Sequence, residues 1–561
     1  EVAIKENLGK IITAKLHKRK PWWLPGLVPD LGWFCRTVTV TAPDGAVYNF
    51  LCFRWVKRGQ TIEIREGKAT KPLDDKLQYL KTLRHNELMQ KQFLYYYRFK
   101  EYSKGMPHAT SKICINPTAR FTQISHNGVV FLYPITVIKI TNFTSTFLHT
   151  CKPSTVGFFL FGFFFVKMIN FSSEYIINNW NKDTFFGSQI LNGINPIMIE
   201  LCQEIPENMA VDKEMKLEGG RTLQEEVENK KIYKVDYKAL DKVKPNEKGK
   251  HFIAAPICLL HQQLDDSLVP IAIQLFQSKS ELNPVFTKQG SDSTWTLVKI
   301  WVRNSDFYVQ EVSTHLQRTH LLAEVFWVAA YRQLADIHPV YKLLIPHGRY
   351  TLQINVAARK TLINENGIFD DFTGLGLKGH EELASRAFKE TTYESLCLPA
   401  DMQKRGVGDL KNYYYRDDAM KLWLAIQDFV KAFVNIFYES EDDVVNDSEV
   451  QAWVHEVFTE GFLENEESGV PSTLKTKDDL VEYLTMVIFT CSAQHAAVNN
   501  GQRLLGQYSE NHFAETEMTR AIEGFKKRLK QIEVEIKARN KNLPFPYKYL
   551  LPSEIENSVA I

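Results

Sequence analysis

STHLQRTH, residues 313–320, sets two histidines five positions apart inside a stretch that otherwise reads as helix. On an ideal α-helix, side chains three or four apart share a face, and those five apart point away from each other. A locally widened helix with i→i+5 hydrogen bonds removes the conflict, and such π-bulges gather at functional sites. His315 and His320 therefore read either as two unrelated histidines or as two ligands of one metal ion on a widened turn.

Two further stretches bear on that choice. In TCSAQHAAVNNG (490–501), His495 and Asn499 are four apart, so a normal helix puts both on one face of an otherwise apolar segment. The chain then ends on ENSVAI (556–561), which is apolar where termini are usually polar and frayed. An apolar terminus goes inside, and a buried terminal carboxylate must be paired or bound to a metal. Imidazole suits iron, zinc and copper, while an amide oxygen is a weak ligand. Three histidines, one amide oxygen and one carboxylate make a five-ligand set with room for water. That suits redox iron better than the closed four-coordinate site of structural zinc. HEELA at His380 begins like the HExxH zinc-protease motif, but its fifth residue is Ala384.

The bulk numbers exclude several classes. With 68 basic and 66 acidic residues the formal net charge is +2, so nothing calls for a nucleic-acid partner. The eight cysteines are scattered, with no CxxC pair, which argues against zinc ribbons and fits a reducing, cytoplasmic compartment. EVAIKENLGK at the start lacks an initiator Met and an apolar signal core, as expected of a chain that begins inside a longer protein. VGFFLFGFFFV (156–166) is wholly apolar but shorter than the roughly 20 residues a spanning helix needs, and reads as buried core.

Along the chain, the first part reads as β. RTVTVTAPDGAVYNFLCFRWV (36–56) alternates about a turn at PDG, and QTIEIREG (60–67) continues as strand. WWLPGLVPDLGWF (22–34) reads as a loop whose Trp22, Trp23 and Trp33 either anchor at a lipid–water interface or cap the sandwich core. From about residue 75 the pattern turns helical and stays so to the end, with a few short strands, as one large, mostly α domain. Residues 112–155 are β-prone and turn-rich and fit neither pattern.

Residues 185–196 (FFGSQILNGINP), 295–307 (WTLVKIWVRNSDF), 314–334 (THLQRTHLLAEVFWVAAYRQL), 337–359 (IHPVYKLLIPHGRYTLQINVAAR), 489–502 (FTCSAQHAAVNNGQ) and the terminal NSVAI together resemble an animal lipoxygenase. The resemblance implies two domains: a partial PLAT (C2-like) β-sandwich over residues 1–72, and a mostly α-helical catalytic domain over 73–561. It implies one non-haem iron, cycling between Fe2+ and Fe3+, held by His315, His320, His495, Asn499 and the α-carboxylate of Ile561. It implies that hydrogen abstraction from a bis-allylic CH2 of a polyunsaturated fatty acid is followed by O2 addition to the opposite face of the pentadienyl radical, giving a hydroperoxide. Leu316, Ile354, Ala358 and Leu362 fall on substrate-pocket positions, though plain core packing also accounts for them. Ala358 falls where the family carries Ala or Gly according to product stereochemistry, and Ala goes with S products. A transient membrane surface is an implied partner. Calcium accompanies some PLAT domains, but its ligands cannot be placed here. Two alternatives share the scaffold: a hydroperoxide isomerase forming epoxyalcohols, and a non-catalytic lipid-binding relative. The chain departs from the family pattern at 112–170, where the sequence is unrelated. It departs again at Arg503, Leu504 and Leu505, where roughly 55–60 family residues are replaced by three.

Overall fold

The computed structural model describes residues 9–18, 32–95, 97–98, 108–109, 172–249, 251–499 and 512–559. The two departures, 112–170 and 503–505, lie outside these residues. So do Trp22, Trp23, the Phe-rich run at 156–166 and Ile561.

The N-terminal region is built from two antiparallel pairs. Strand β1 (Thr13–His17) pairs with β4 (Thr61–Arg65), and β2 (Trp33–Thr41) pairs with β3 (Val47–Val56). The expected turn at PDG joins β2 to β3. Alternate residues turn inward, so Cys35, Phe50, Cys52, Val56, Ile62 and Ile64 form a small separate core. Trp33 opens β2 and is 51% exposed, so it belongs to a strand and not to the loop before it.

Helix α1 (Gln78–Leu94) leads into the large domain, which is helical as expected. It also contains more β-structure than a few isolated strands. Strands β5 (Glu200–Leu201), β6 (Ile232–Asp236), β7 (Ile257–Gln262), β8 (Leu268–Gln274) and β9 (Val285–Thr287) form one five-stranded antiparallel sheet in sequential order. Every residue of β7 is buried, so the strand shows no in–out alternation to betray it. Helix α2 (Asp183–Asn192) lies against this sheet so closely that a Cβ on Gly187 would meet the Leu268 carbonyl oxygen.

The centre of the domain is one continuous helical run: α3 (Asp292–Val309), a π-helical stretch (Gln310–Leu321) and α4 (Leu322–Gln333). Ser291 caps its start by accepting from the Thr294 amide. Helices α5 (Thr351–Thr361) and α7 (Ser448–Glu456) pack against it, and α6 (Tyr414–Phe437) packs on both α8 (Lys477–Phe489) and α10 (Thr516–Asn540). A second π stretch, Thr490–Gln494, joins α8 to α9 (His495–Asn499). Aromatic contacts lock the bundle: Phe429 stacks on Phe525 at 4.9 Å, and Trp423 meets Phe489 edge-on at 5.2 Å.

A buried charge network ties the sandwich to the helices. Arg65 of β4 and Arg84 of α1 both donate to the Asp75 carboxylate, with Arg84 Nε 2.7 Å from Oδ2. Arg84 Nη1 reaches Glu449 of α7 at 2.8 Å, and its Nη2 donates to the Thr70 carbonyl. Burial alone would raise the Asp75 pKa, but the bonds from Arg65 and Arg84 outweigh it and hold the carboxyl below its ordinary value. Replacing Arg84 by Met leaves Asp75 and Glu449 buried with less than their full counter-charge. The expected loss is about 3–5 kcal/mol in chemical denaturation at neutral pH. Because the folded-state pKa of Asp75 is depressed, its contribution is complete above about pH 4 and drains away as pH falls through the folded value. The gap between wild type and Arg84→Met should narrow on acidification; a constant gap from pH 7 to pH 2.5 would contradict this account.

Candidate metal centre

The π stretch does what the five-residue spacing required. His315 Nε2 and His320 Nε2 stand 3.0 Å apart, with the two rings edge to face. The widening extends well beyond a single bulge, over the whole of Gln310–Leu321. Threonine hydroxyls engage carbonyls along it: Thr314 Oγ1 donates to the Gln310 oxygen at 3.1 Å and Thr319 Oγ1 to the His315 oxygen at 2.6 Å. Ser492 does the same in the second π stretch, donating to the Ile488 oxygen.

Two anchors set the stretch in place. Asn195, from the NGINP loop after α2, donates to Asp306 Oδ1 at 2.8 Å and accepts from Thr314 Oγ1 at 3.1 Å. Gln310 Nε2 donates to the Val498 carbonyl of α9, tying the two histidine-bearing helices together. His495 then enters from α9, with its Nε2 3.2 Å from that of His320. All three histidines are buried, and their ligand nitrogens lie within 4.8 Å of one another, close enough to hold a metal ion.

The outer nitrogens decide the chemistry of the inner ones. His315 Nδ1 faces Glu311 Oε2 at 3.2 Å, and a carboxylate only accepts, so that nitrogen carries the hydrogen. His320 Nδ1 faces Asn355 Oδ1 at 2.9 Å and is likewise a donor. With Nδ1 engaged on the outer side, both rings turn Nε2 inward, toward each other across 3.0 Å. This donor set fits non-haem iron: three buried imidazoles converge, two of them oriented from behind by a carboxylate and an amide.

The other expected residues fall around this centre unevenly. Asn499 is half-buried at the end of α9, its amide 3.3 Å from His495 Nε2, on the same face one turn on. Leu316 lies beside His315 on the π stretch. Ile354 and Ala358 sit one turn apart on α5, and Leu362 follows that helix. All four are half-buried. His380 is a buried core histidine bonded to the Gly376 carbonyl. Glu311 and Asn355 were missed from the sequence. Glu311 had a local signal, a carboxylate one helical turn before His315. Asn355 showed only as one polar residue among several on its helix.

A small β-sandwich leading into a helical domain with three converging imidazoles defines a class: a two-domain protein with a metal-competent histidine centre in its helical part. Family comparisons agree at both ends, the PLAT/LH2 domain matching residues 1–65 and Lipoxygenase matching residues 167–515. The chain belongs to the lipoxygenase family, a family of dioxygenases with which non-haem iron is associated. It is 37% identical to the polyunsaturated fatty acid lipoxygenase ALOX15B of Rattus norvegicus over all of this chain and 92% of that protein. It is 35% identical to the hydroperoxide isomerase ALOXE3 of the same species, with the same coverage. A lipoxygenase solved anaerobically in complex with arachidonate superposes with a TM-score of 0.87 at 28% identity, over 100% of this chain and 92% of that one. Coral 8R-lipoxygenase gives 0.85 at 28% identity, over 99% and 92%. The ALOX15B alignment runs over 632 positions against 561 residues here, so that relative carries residues this chain lacks. No helix among the described residues is long and apolar enough to cross a membrane.

If the three imidazoles share a cation, binding it stabilises the fold. Saturation at about 100 times Kd is worth about 2.7 kcal/mol. Adding Fe(II) or Co(II) to metal-free chain should raise the melting temperature, and a chelator should reverse the rise. His320→Ala should be insensitive to both.

Proposed function

We propose that the chain is a fatty-acid dioxygenase whose iron is held by His315, His320, His495, Asn499 and the α-carboxylate of Ile561. The observation that carries the reading is the convergence of three buried imidazoles, whose ligand nitrogens lie within 4.8 Å of one another. A bound iron would supply one-electron redox chemistry for removing a hydrogen atom from a bis-allylic CH2. The chain's own residues do the rest. Glu311 and Asn355 orient two imidazoles and hold their protons away from the metal. The side chains around His315, His320 and His495 exclude bulk water, which strengthens every polar interaction inside.

Leu316, Ile354, Ala358 and Leu362 supply the apolar wall along which the acyl chain lies, placing one CH2 against the centre. Their half-burial supports this, because apolar side chains left partly accessible within a packed domain are surface for a ligand to cover. Ala358 in place of glycine favours an S hydroperoxide. The substrate class follows from the relatives: one is named for polyunsaturated fatty acids, and a structural neighbour was solved with arachidonate. O2 is the second substrate. The PLAT match supports transient contact with a membrane surface, where such lipids reside, by a chain working in the cytoplasm. Similarity to ALOXE3 over the full chain favours a second reading, isomerisation of hydroperoxides, on the same residues.

The test pairs metal content with product. The purified chain should bind iron one to one and form conjugated diene from arachidonate and O2. Iron without diene, but with consumption of a fatty-acid hydroperoxide, would replace the first reading by the second. A folded chain that takes up no iron would overturn both. Ala358→Gly should move product chirality from mainly S toward R, read by chiral chromatography.

A further inference from the structure

Behind His320 lies a four-residue arrangement of which the reaction above uses only His320 and Asn355. His320 and Glu324 are four apart on the run from the π stretch into α4, and Asn355 and Arg359 are four apart on α5. The two pairs face each other. Asn355 Nδ2 donates to the His320 carbonyl at 2.8 Å and to Glu324 Oε2 at 2.8 Å. Arg359 closes the square with a two-pronged bond to the Glu324 carboxylate, Nη1 to Oε1 at 3.0 Å and Nη2 to Oε2 at 2.6 Å. Glu324 is 1% exposed and Asn355 2%.

We propose that Glu324 and Arg359 are positioning residues for the metal centre: acting through Asn355, they hold His320 in the tautomer that carries its hydrogen on Nδ1. The proposal rests on the reading of His320 as a metal ligand. An asparagine amide has a donor end and an acceptor end, and only its surroundings decide which faces where. Here the donor end meets two groups that only accept, the His320 carbonyl and the Glu324 carboxylate. The amide is therefore pinned with Oδ1 toward His320 Nδ1, at 2.9 Å. An acceptor at that place requires Nδ1–H and leaves Nε2 as the ligating atom. The Glu324 carboxylate holds the amide this way, and Arg359 balances its charge in the interior with two parallel bonds. The same residues tie the ring to the proposed acyl-chain wall, since Ile354 and Ala358 directly precede Asn355 and Arg359.

A plain structural ion pair would also be buried and also be bidentate, so the test must separate orientation from packing. Glu324→Gln keeps the shape and loses the acceptor-only character, since its amide presents a donor as readily as an acceptor. Glu324→Asp keeps the acceptor-only charge and loses a methylene. The full-length chain and its variants would be prepared metal-free and loaded anaerobically with Fe(II). The measurements are affinity by chelator competition, the EPR line shape after oxidation to the ferric state, and the melting temperature of the metal-free chain.

Glu324→Gln should bind iron 10- to 100-fold more weakly than wild type, the usual effect of losing an outer-shell partner, and change the ferric EPR signal. Glu324→Asp should stay within a few-fold of wild type, and Arg359→Met should follow Gln. The reverse order, Asp worse than Gln, would assign the pair to packing and overturn the proposal. Wild-type affinity and line shape in Glu324→Gln would overturn it as well, whatever the melting temperature. His320→Ala separates the two levels. If wild type takes up no iron, or His320→Ala takes it up equally well, the ligand assignment itself fails.

Discussion

Three buried imidazoles pointed at one place are a constraint before they are a site. Which nitrogen of a neutral ring carries the hydrogen decides which one can bind a cation. The protein settles this from outside the centre. Glu311 takes the hydrogen of His315, and Asn355 takes that of His320. The price is paid in backbone geometry, since two histidines that share one helix and five residues of spacing face one point only if the helix widens. From this follow the long π stretch, the threonine hydroxyls on its carbonyls, and the need for rigid neighbours to keep a poorer helix from relaxing.

Those neighbours account for much of the rest of the fold. Asn195, Thr314 and Asp306 fasten the π stretch to the loop after α2, and α2 itself is pressed onto the antiparallel sheet. Gln310 fastens it to α9, so that His495 arrives on a helix already bound to the helix it must meet. On the far side, α4 is held by α7, where the Trp453 indole donates to the Phe326 carbonyl and Glu456 receives Arg332. Helix α7 also presents Glu449 to Arg84, which connects these helices to Asp75 and Arg65 of the N-terminal sandwich. A displacement of the sandwich is thus opposed by charges seated against the scaffold of the histidine run.

How much of this could be read from sequence depends on how local each piece is. The five-residue spacing of His315 and His320 and the four-residue spacing of His495 and Asn499 carry their own geometry, because helical period alone determines who shares a face. The strands at 33–56 and 61–65 alternate and show themselves by the same kind of periodicity. The sheet between residues 200 and 287 does not. Its central strand β7 is buried throughout, and an apolar run without alternation reads equally as buried strand or buried helix. Trp33 was misplaced by a residue or two at a strand end, where loop and strand look alike.

Asn355 shows the limit most clearly. It lies 35 positions from the histidine it orients, on another helix, and nothing in LQINVAARK distinguishes a ligand-orienting amide from a buried polar residue making the best of its surroundings. The role proposed for it exists only once α5 has packed against the π stretch and its amide has met Glu324. Ligands are legible because metals demand particular atoms at particular spacings. The residues that make those atoms into ligands need only be in the right place with the right polarity, and many residue types can be. A sequence therefore reveals a centre of this kind more readily than it reveals what allows the centre to work.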